Sequence, residues 1–147
     1  MLVRPICLMT VAALLLTQPD AEEQAKKDLK RLQGIWTMSA LEVNGEDVGV
    51  AKVQGTALTI KGDRYAVKSK DNVRECVIRL DPKKDPPAID MIFSEPGSAD
   101  KVHKGIYKLE GKTFKICRGL NPDQERPGQF ATWPGTNYFV VTWKRDP

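Results

Sequence analysis

From Ile35 to Arg145 the chain returns again and again to one construction, a short run of apolar residues spaced two apart followed by a turn rich in glycine, asparagine or aspartate. A period of two sends alternate side chains to opposite faces of a strand, so each run reads as a strand with one face buried. Leu58-Thr-Ile60 and Tyr65-Ala-Val67 flank Lys61-Gly62-Asp63-Arg64, the pattern of a tight hairpin. Lys104-Gly-Ile-Tyr-Lys-Leu109 and Lys112-Thr-Phe-Lys-Ile116 form a second hairpin about Glu110-Gly111, in a register that sets Tyr107 opposite Phe114.

The other runs obey the same rule. Trp36 to Ala40 alternates apolar with small polar residues. Val73 to Leu80, entered by a turn at Asp71-Asn72, places Cys76, Ile78 and Leu80 on one face. Ala88 to Phe93 turns Ile89, Met91 and Phe93 inward and Asp90 outward, and Tyr138 to Arg145 sets Phe139, Val141, Trp143 and Arg145 on one side. Between them, Lys83 to Pro87 is too rich in proline and charge for a sheet interior. Val48 to Val53 reads as a loop or a short helix. Arg118 to Gly128 is the longest irregular segment, either a lid over a cavity or a surface loop.

About eight short strands in sequence, joined mostly by tight turns, predict an all-β antiparallel up-and-down barrel, because closure removes the free edges that invite aggregation. A two-sheet sandwich is the alternative, and it demands long crossovers that only the 118–128 stretch is long enough to supply. Ahead of the strands, Glu22 to Leu32 is made of good helix formers with Ala25, Leu29 and Leu32 at helical spacing, acidic residues first and basic ones last. Gly34 stops it, and with three apolar residues on its face this short helix is expected to cap a larger body.

With 147 residues and 41% hydrophobic content the chain suits one core. Arg4, the apolar run Ile6 to Leu16 and the small residue Ala21 form a signal-peptide pattern, so residues 1–21 are expected to be a leader and 22–147 a single domain. That run is shorter than the roughly 20 residues a membrane helix needs, so no stable span is expected after cleavage. The expected address is exported: periplasm, cell envelope or outside the cell. Removing the leader leaves 22 basic against 18 acidic residues without a like-charged block, which argues for a mixed solvated surface and against a nucleic-acid partner. Of the cysteines, Cys76 and Cys117 remain; parity puts one inside and one outside on strands that are not neighbours, so no disulfide is expected. One histidine, His103, and no Cys-x-x-Cys spacing leave no metal-ligand set and no cofactor motif.

Gly34-Ile35-Trp36 resembles the Gly-x-Trp signature of lipocalins, in which the tryptophan closes the barrel base and an arginine after the last strand packs across it; Arg145 stands where that partner belongs. More widely, Leu32-Gln-Gly-Ile-Trp36, Leu58-Thr-Ile-Lys-Gly-Asp63, Leu80-Asp-Pro82, Ala88-Ile-Asp90, Gly105-Ile-Tyr107, Lys115-Ile-Cys117, Glu125-Arg-Pro127 and Lys144-Arg145 resemble an uncharacterised lipocalin-like domain family abundant in planctomycete bacteria, over about residues 29 to 145. The resemblance implies a small exported or envelope-associated barrel, with Gly34, Trp36 and Arg145 as its closure, and it implies no activity. Cys76 departs from the small residues this family prefers there.

No nucleophile and base pair on spacing grounds, and the carboxylates Asp81 and Asp90 have no partner at a predictable distance, so no catalytic residue is assigned and the chain is not expected to be an enzyme. His103, beside a polar loop, reads as solvated. An eight-stranded barrel either fills with side chains or holds one small ligand, and two readings follow. In the first, an apolar interior that includes Met91, Phe93 and Phe114 accepts a small hydrophobic molecule, with Tyr65 and Tyr107 as hydrogen-bonding groups and Arg126 as the anion contact. In the second, the same side chains fill the barrel, Arg126 ties its own loop to a carboxylate or to carbonyls, and the exposed Lys83–Pro87 and Arg118–Gly128 segments contact a protein or cell-surface polymer.

Overall fold

A computed structural model describes residues 20–146. The expected leader therefore lies outside the described residues up to position 19. Asp20 caps helix α1 (Ala21–Leu32), its carboxylate accepting the Glu23 backbone N–H at 2.8 Å, and Glu22 and Glu23 in the first turn with Lys30 and Arg31 in the last complement the helix dipole. Strands follow as β1 (Gly34–Val43), β2 (Glu46–Asp47), β3 (Ala57–Lys61), β4 (Arg64–Ser69), β5 (Asn72–Asp81), β6 (Ala88–Phe93), β7 (Lys101–Glu110), β8 (Thr113–Gly119) and β9 (Tyr138–Arg145). The Val48–Val53 segment contains a one-turn helix, α2 (Val50–Val53).

Every neighbouring pair of strands is antiparallel, and β9 pairs with both β8 and β1, which closes eight strands into an up-and-down barrel; β2 only extends the end of β1 and stays outside. The barrel is the expected one, and the sandwich alternative falls.

Three registers differ from their sequence-based expectations. In the β7–β8 hairpin the turn is Gly111-Lys112, one residue later than expected, so Tyr107 faces Ile116 and Leu109 faces Phe114. Gly111 has φ +54°, and a two-residue turn matching the strand twist wants glycine at its first central position. The Tyr107 and Phe114 rings still meet edge to face on a diagonal, 6.4 Å between centroids. The β4–β5 turn falls at Lys70-Asp71, one residue before its expected place, with Lys70 at φ +46°. In β1 a bulge at Ser39 breaks the alternation: Met38 pairs with Trp143 and Ala40 with Thr142. An extra residue flips the strand's parity, so Leu41 and Val43 face inward beyond the bulge.

The core fills one end of the barrel. Leu32, Trp36, Leu58, Ile60, Ile78, Ile89, Tyr107 and Phe114 are buried there. Trp36 has no exposed surface, donates its indole N–H to the Leu32 carbonyl at 2.9 Å, and lies 5.8 Å from the Phe114 ring. The Arg145 guanidinium covers the Trp36 ring at 4.3 Å and donates to the Arg31 carbonyl. Gly34 begins β1 at φ +113°, a backbone conformation that a side chain would strain. Helix α1 plugs this end through two more ties. The Tyr107 hydroxyl donates to the buried Asp28 carboxylate at 2.7 Å, and the Gln33 side-chain amide both accepts from the Gly62 N–H and donates to its carbonyl.

A second, smaller cluster lies outside the barrel wall, where Ile106, Cys117 and Val140 are covered by Phe130. The segment between β8 and β9 is therefore a flap on the outer wall, with no strand in it. No described helix is long and apolar enough to cross a membrane.

Candidate functional site

The end opposite α1 is not filled. It holds a cavity of about 320 Å³ lined chiefly by apolar side chains. Tyr65 from β4, Met91 from β6, Ile116 from β8, and Val141 and Trp143 from β9 form its lower wall, next to the packed core. Nearer the rim come Met38, Leu41 and Val43 from β1, Val67 from β4, Phe93 from β6, Phe139 from β9, and Leu120 just past β8. Three basic-type side chains complete the rim: Arg74, His103 and Arg118.

Arg118 belongs here because parity along β8 puts Phe114, Ile116 and Arg118 on the same face. Its guanidinium sits 4.4 Å from the Phe139 ring centroid and 5.7 Å from that of Phe93. It donates to its neighbour's carbonyl at Gly119 and, at 2.9 Å, to His103 Nδ1. Opposite it on β7, Gly105 supplies the space: a Cβ there would come within 2.9 Å of Arg118 Cβ and 2.8 Å of the Cys117 carbonyl. Burial lowers the Arg118 pKa to about 10, which leaves it a cation at neutral pH. A guanidinium can only donate, so Nδ1 of His103 must accept and its imidazole is neutral with the proton on Nε2. Burial first, and the Arg118 charge second, hold the His103 pKa below its ordinary value, in agreement with a neutral ring, against a smaller opposing effect of the Gly119 carbonyl 3.4 Å from Nδ1. Arg74 reaches in from β5, 5.8 Å from the Phe93 ring.

Among the described residues, no aspartate or glutamate lines the cavity. Among the described residues, six basic side chains, Lys26, Arg31, Arg64, Lys101, Lys108 and Arg126, form ion pairs with carboxylates, and Arg74 and Arg118 do not. The lower wall carries two further polar groups. The buried Trp143 indole N–H finds no hydrogen-bond partner among the described residues, although it approaches the Tyr65 hydroxyl closely enough to favour its ionised form a little. Burial outweighs that effect and raises the Tyr65 pKa.

Of the residues expected to contact a ligand, Tyr65, Met91 and Phe93 line the cavity. Tyr107 and Phe114 do not: they lie in the packed half, where the Tyr107 hydroxyl is already committed to Asp28. Arg126 is outside the barrel altogether. It pairs with Asp90 at 2.7 Å and donates to the carbonyls of Gly105 and Ile89, the loop-tying role that was its alternative reading. His103, expected to be solvated, is a half-buried wall residue.

Arg74, His103 and Arg118 were missed as cavity residues, although continuing the alternation from Cys76, Tyr107 and Ile116 reaches each of them. Their polarity concealed them, because a charged residue at a strand end ordinarily marks the exit to solvent. Leu41 and Val43 were missed for a different reason, the bulge at Ser39, which leaves no mark in the local pattern.

Cys76 is buried inside the barrel and Cys117 beneath the outer flap, both as free thiols. Burial pushes their pKa values up to about 12 and about 11, so neither is a ready nucleophile. The described residues contain no cluster of metal-ligating side chains. No family model, no curated protein and no solved structure matches this chain.

Proposed function

We propose that this chain is an exported, lipocalin-like binding protein that takes one small hydrophobic molecule into the unfilled half of its barrel. The observation that carries this reading is the division of the interior: one half plugged by α1 and packed around Trp36, the other a cavity of about 320 Å³ with apolar walls. That volume lies at the lower end of the range for small-molecule sites, which runs from about 300 to 1,000 Å³. At roughly 30 Å³ for each water-sized unit, it accommodates about ten non-hydrogen atoms. Binding suits the site better than catalysis, since among the described residues no thiol or carboxylate lines the cavity and its histidine is engaged by an arginine. The Gly34, Trp36 and Arg145 closure supports the lipocalin-like kinship.

Native mass spectrometry of the protein purified from its own host, together with thermal unfolding against hydrophobic extracts, tests the reading. A co-purifying small molecule and a raised Tm are expected. An empty protein whose Tm no extract moves would sink it and return the barrel to the role of an interaction module.

A further inference from the structure

The cavity has a chemical polarity that its size alone does not require. Its lower wall, Tyr65, Met91, Ile116, Val141 and Trp143, is a short apolar chamber, while its rim holds two arginines and no carboxylate. A partly buried cation without a counter-ion is an unusual arrangement, because removing charge from water costs free energy that a nearby anion ordinarily offsets. The same chain meets that demand elsewhere, giving the half-buried Arg126 both Asp90 and two carbonyls. At Arg118 the neighbours are a neutral imidazole, one carbonyl and two aromatic faces, none of which neutralises the charge. These contacts do hold the guanidinium in place. His103 and Gly119 occupy Nη1, and no hydrogen bond within the described residues occupies Nη2.

We infer that the rim is an anion site and that the ligand is a linear amphiphile, a carboxylate head at the cavity mouth on an aliphatic tail of about seven to nine carbons. This rests on the binding reading above and specifies its ligand. The tail occupies the chamber down to Trp143 and Tyr65, and the carboxylate meets Arg118 at the rim with Arg74 contributing at longer range. The planar guanidinium fork matches a carboxylate, and the surrounding Phe93 and Phe139 rings exclude water from the contact.

Isothermal titration of the mature protein with decanoate, 1-decanol and decyltrimethylammonium, each below its aggregation concentration, separates the claims. Decanoate is expected to bind about tenfold or more tighter than decanol, and the cationic amphiphile weakest. Arg118→Met keeps the side-chain stem and is expected to bring decanoate to the affinity of decanol while leaving decanol unchanged. Should decanoate and decanol bind the unaltered protein equally, the anion site is refuted and the apolar cavity stands. Should none of the three bind, the binding reading fails and takes the anion site with it. The comparison in the unaltered protein decides the matter even if Arg118→Met does not fold.

Discussion

At the scale of single residues, two side chains illustrate how position decides role. Trp36 is fully buried, is hydrogen bonded through its indole N–H and packs against Arg145 and Phe114. Trp36→Ala removes all three contacts and leaves a cavity, so urea denaturation is expected to show a loss of about 3–5 kcal/mol. A variant as stable as the parent would contradict the closure. His103 works through its protonation state. Its folded pKa lies below the ordinary imidazole value, so as pH falls the unfolded chain takes up a proton first, near pH 6.5. The unfolded state then binds more protons, and folding stability is expected to decline as pH drops from about 6.5 through the lower folded value. Tm measured from pH 7.5 to 5 in the parent and in His103→Gln is the check, with the decline shallower in the variant.

At the scale of elements, α1 and the 120–137 flap are both fastened by polar contacts that cross between elements distant in sequence. Helix α1 holds the barrel base through Asp28, whose carboxylate accepts from Tyr107 and lies near Arg31. Burial and the Asp28 charge together raise the Tyr107 pKa, keeping the phenol protonated and able to donate. Tyr107→Phe leaves the buried carboxylate short of a donor and is expected to cost about 1.5–3 kcal/mol. Faster amide exchange should appear in α1 ahead of the strands. The flap is held at Arg126 by Asp90 and two strand carbonyls, and near its other end by the Thr132 hydroxyl on Glu42. Beneath it Cys117 is wholly buried. Arg126→Ala is expected to speed alkylation of Cys117 by a neutral maleimide under native conditions, while Cys76, inside the barrel, keeps its parent rate. Equal Cys117 rates would mean that the flap needs no clasp.

At the scale of the whole molecule, closure is the governing fact. Strand β9 pairs with β1 along nearly its whole length and with β8 on its other side, joining the two ends of the meander. The β1–β9 pairings also have the largest sequence separation in the fold. Ending the chain at Asn137 would remove one of eight staves, leave β1 and β8 as free edges, and uncover Trp36 by loss of Arg145. Such a chain is expected to lose cooperative unfolding in urea and to aggregate. A sharp transition would show that the remaining strands fold without closure. Closure also sets the interior volume, and α1 divides it into a packed half and an open one.

The order and identity of the eight barrel strands, the meander, the capping helix and the Trp36–Arg145 pairing were legible in the sequence, because each rests on local periodicity, turn chemistry or a short motif; the two-residue β2 was not. Also legible were three of the six expected ligand contacts: alternation alone brings Tyr65, Met91 and Phe93 to the cavity wall. What the tertiary structure decided was depth. Parity tells inside from outside, but Tyr107 and Phe114 point inward as surely as Met91 does. Only the seating of α1 separates the filled end from the open one. The bulge at Ser39, the one-residue shifts of two turns and the path of the flap depend on partners far away in sequence. The same holds for Arg118. Its residue type suggests solvent, and only the closed barrel, with Gly105 making room and aromatic rings on two sides, turns it inward.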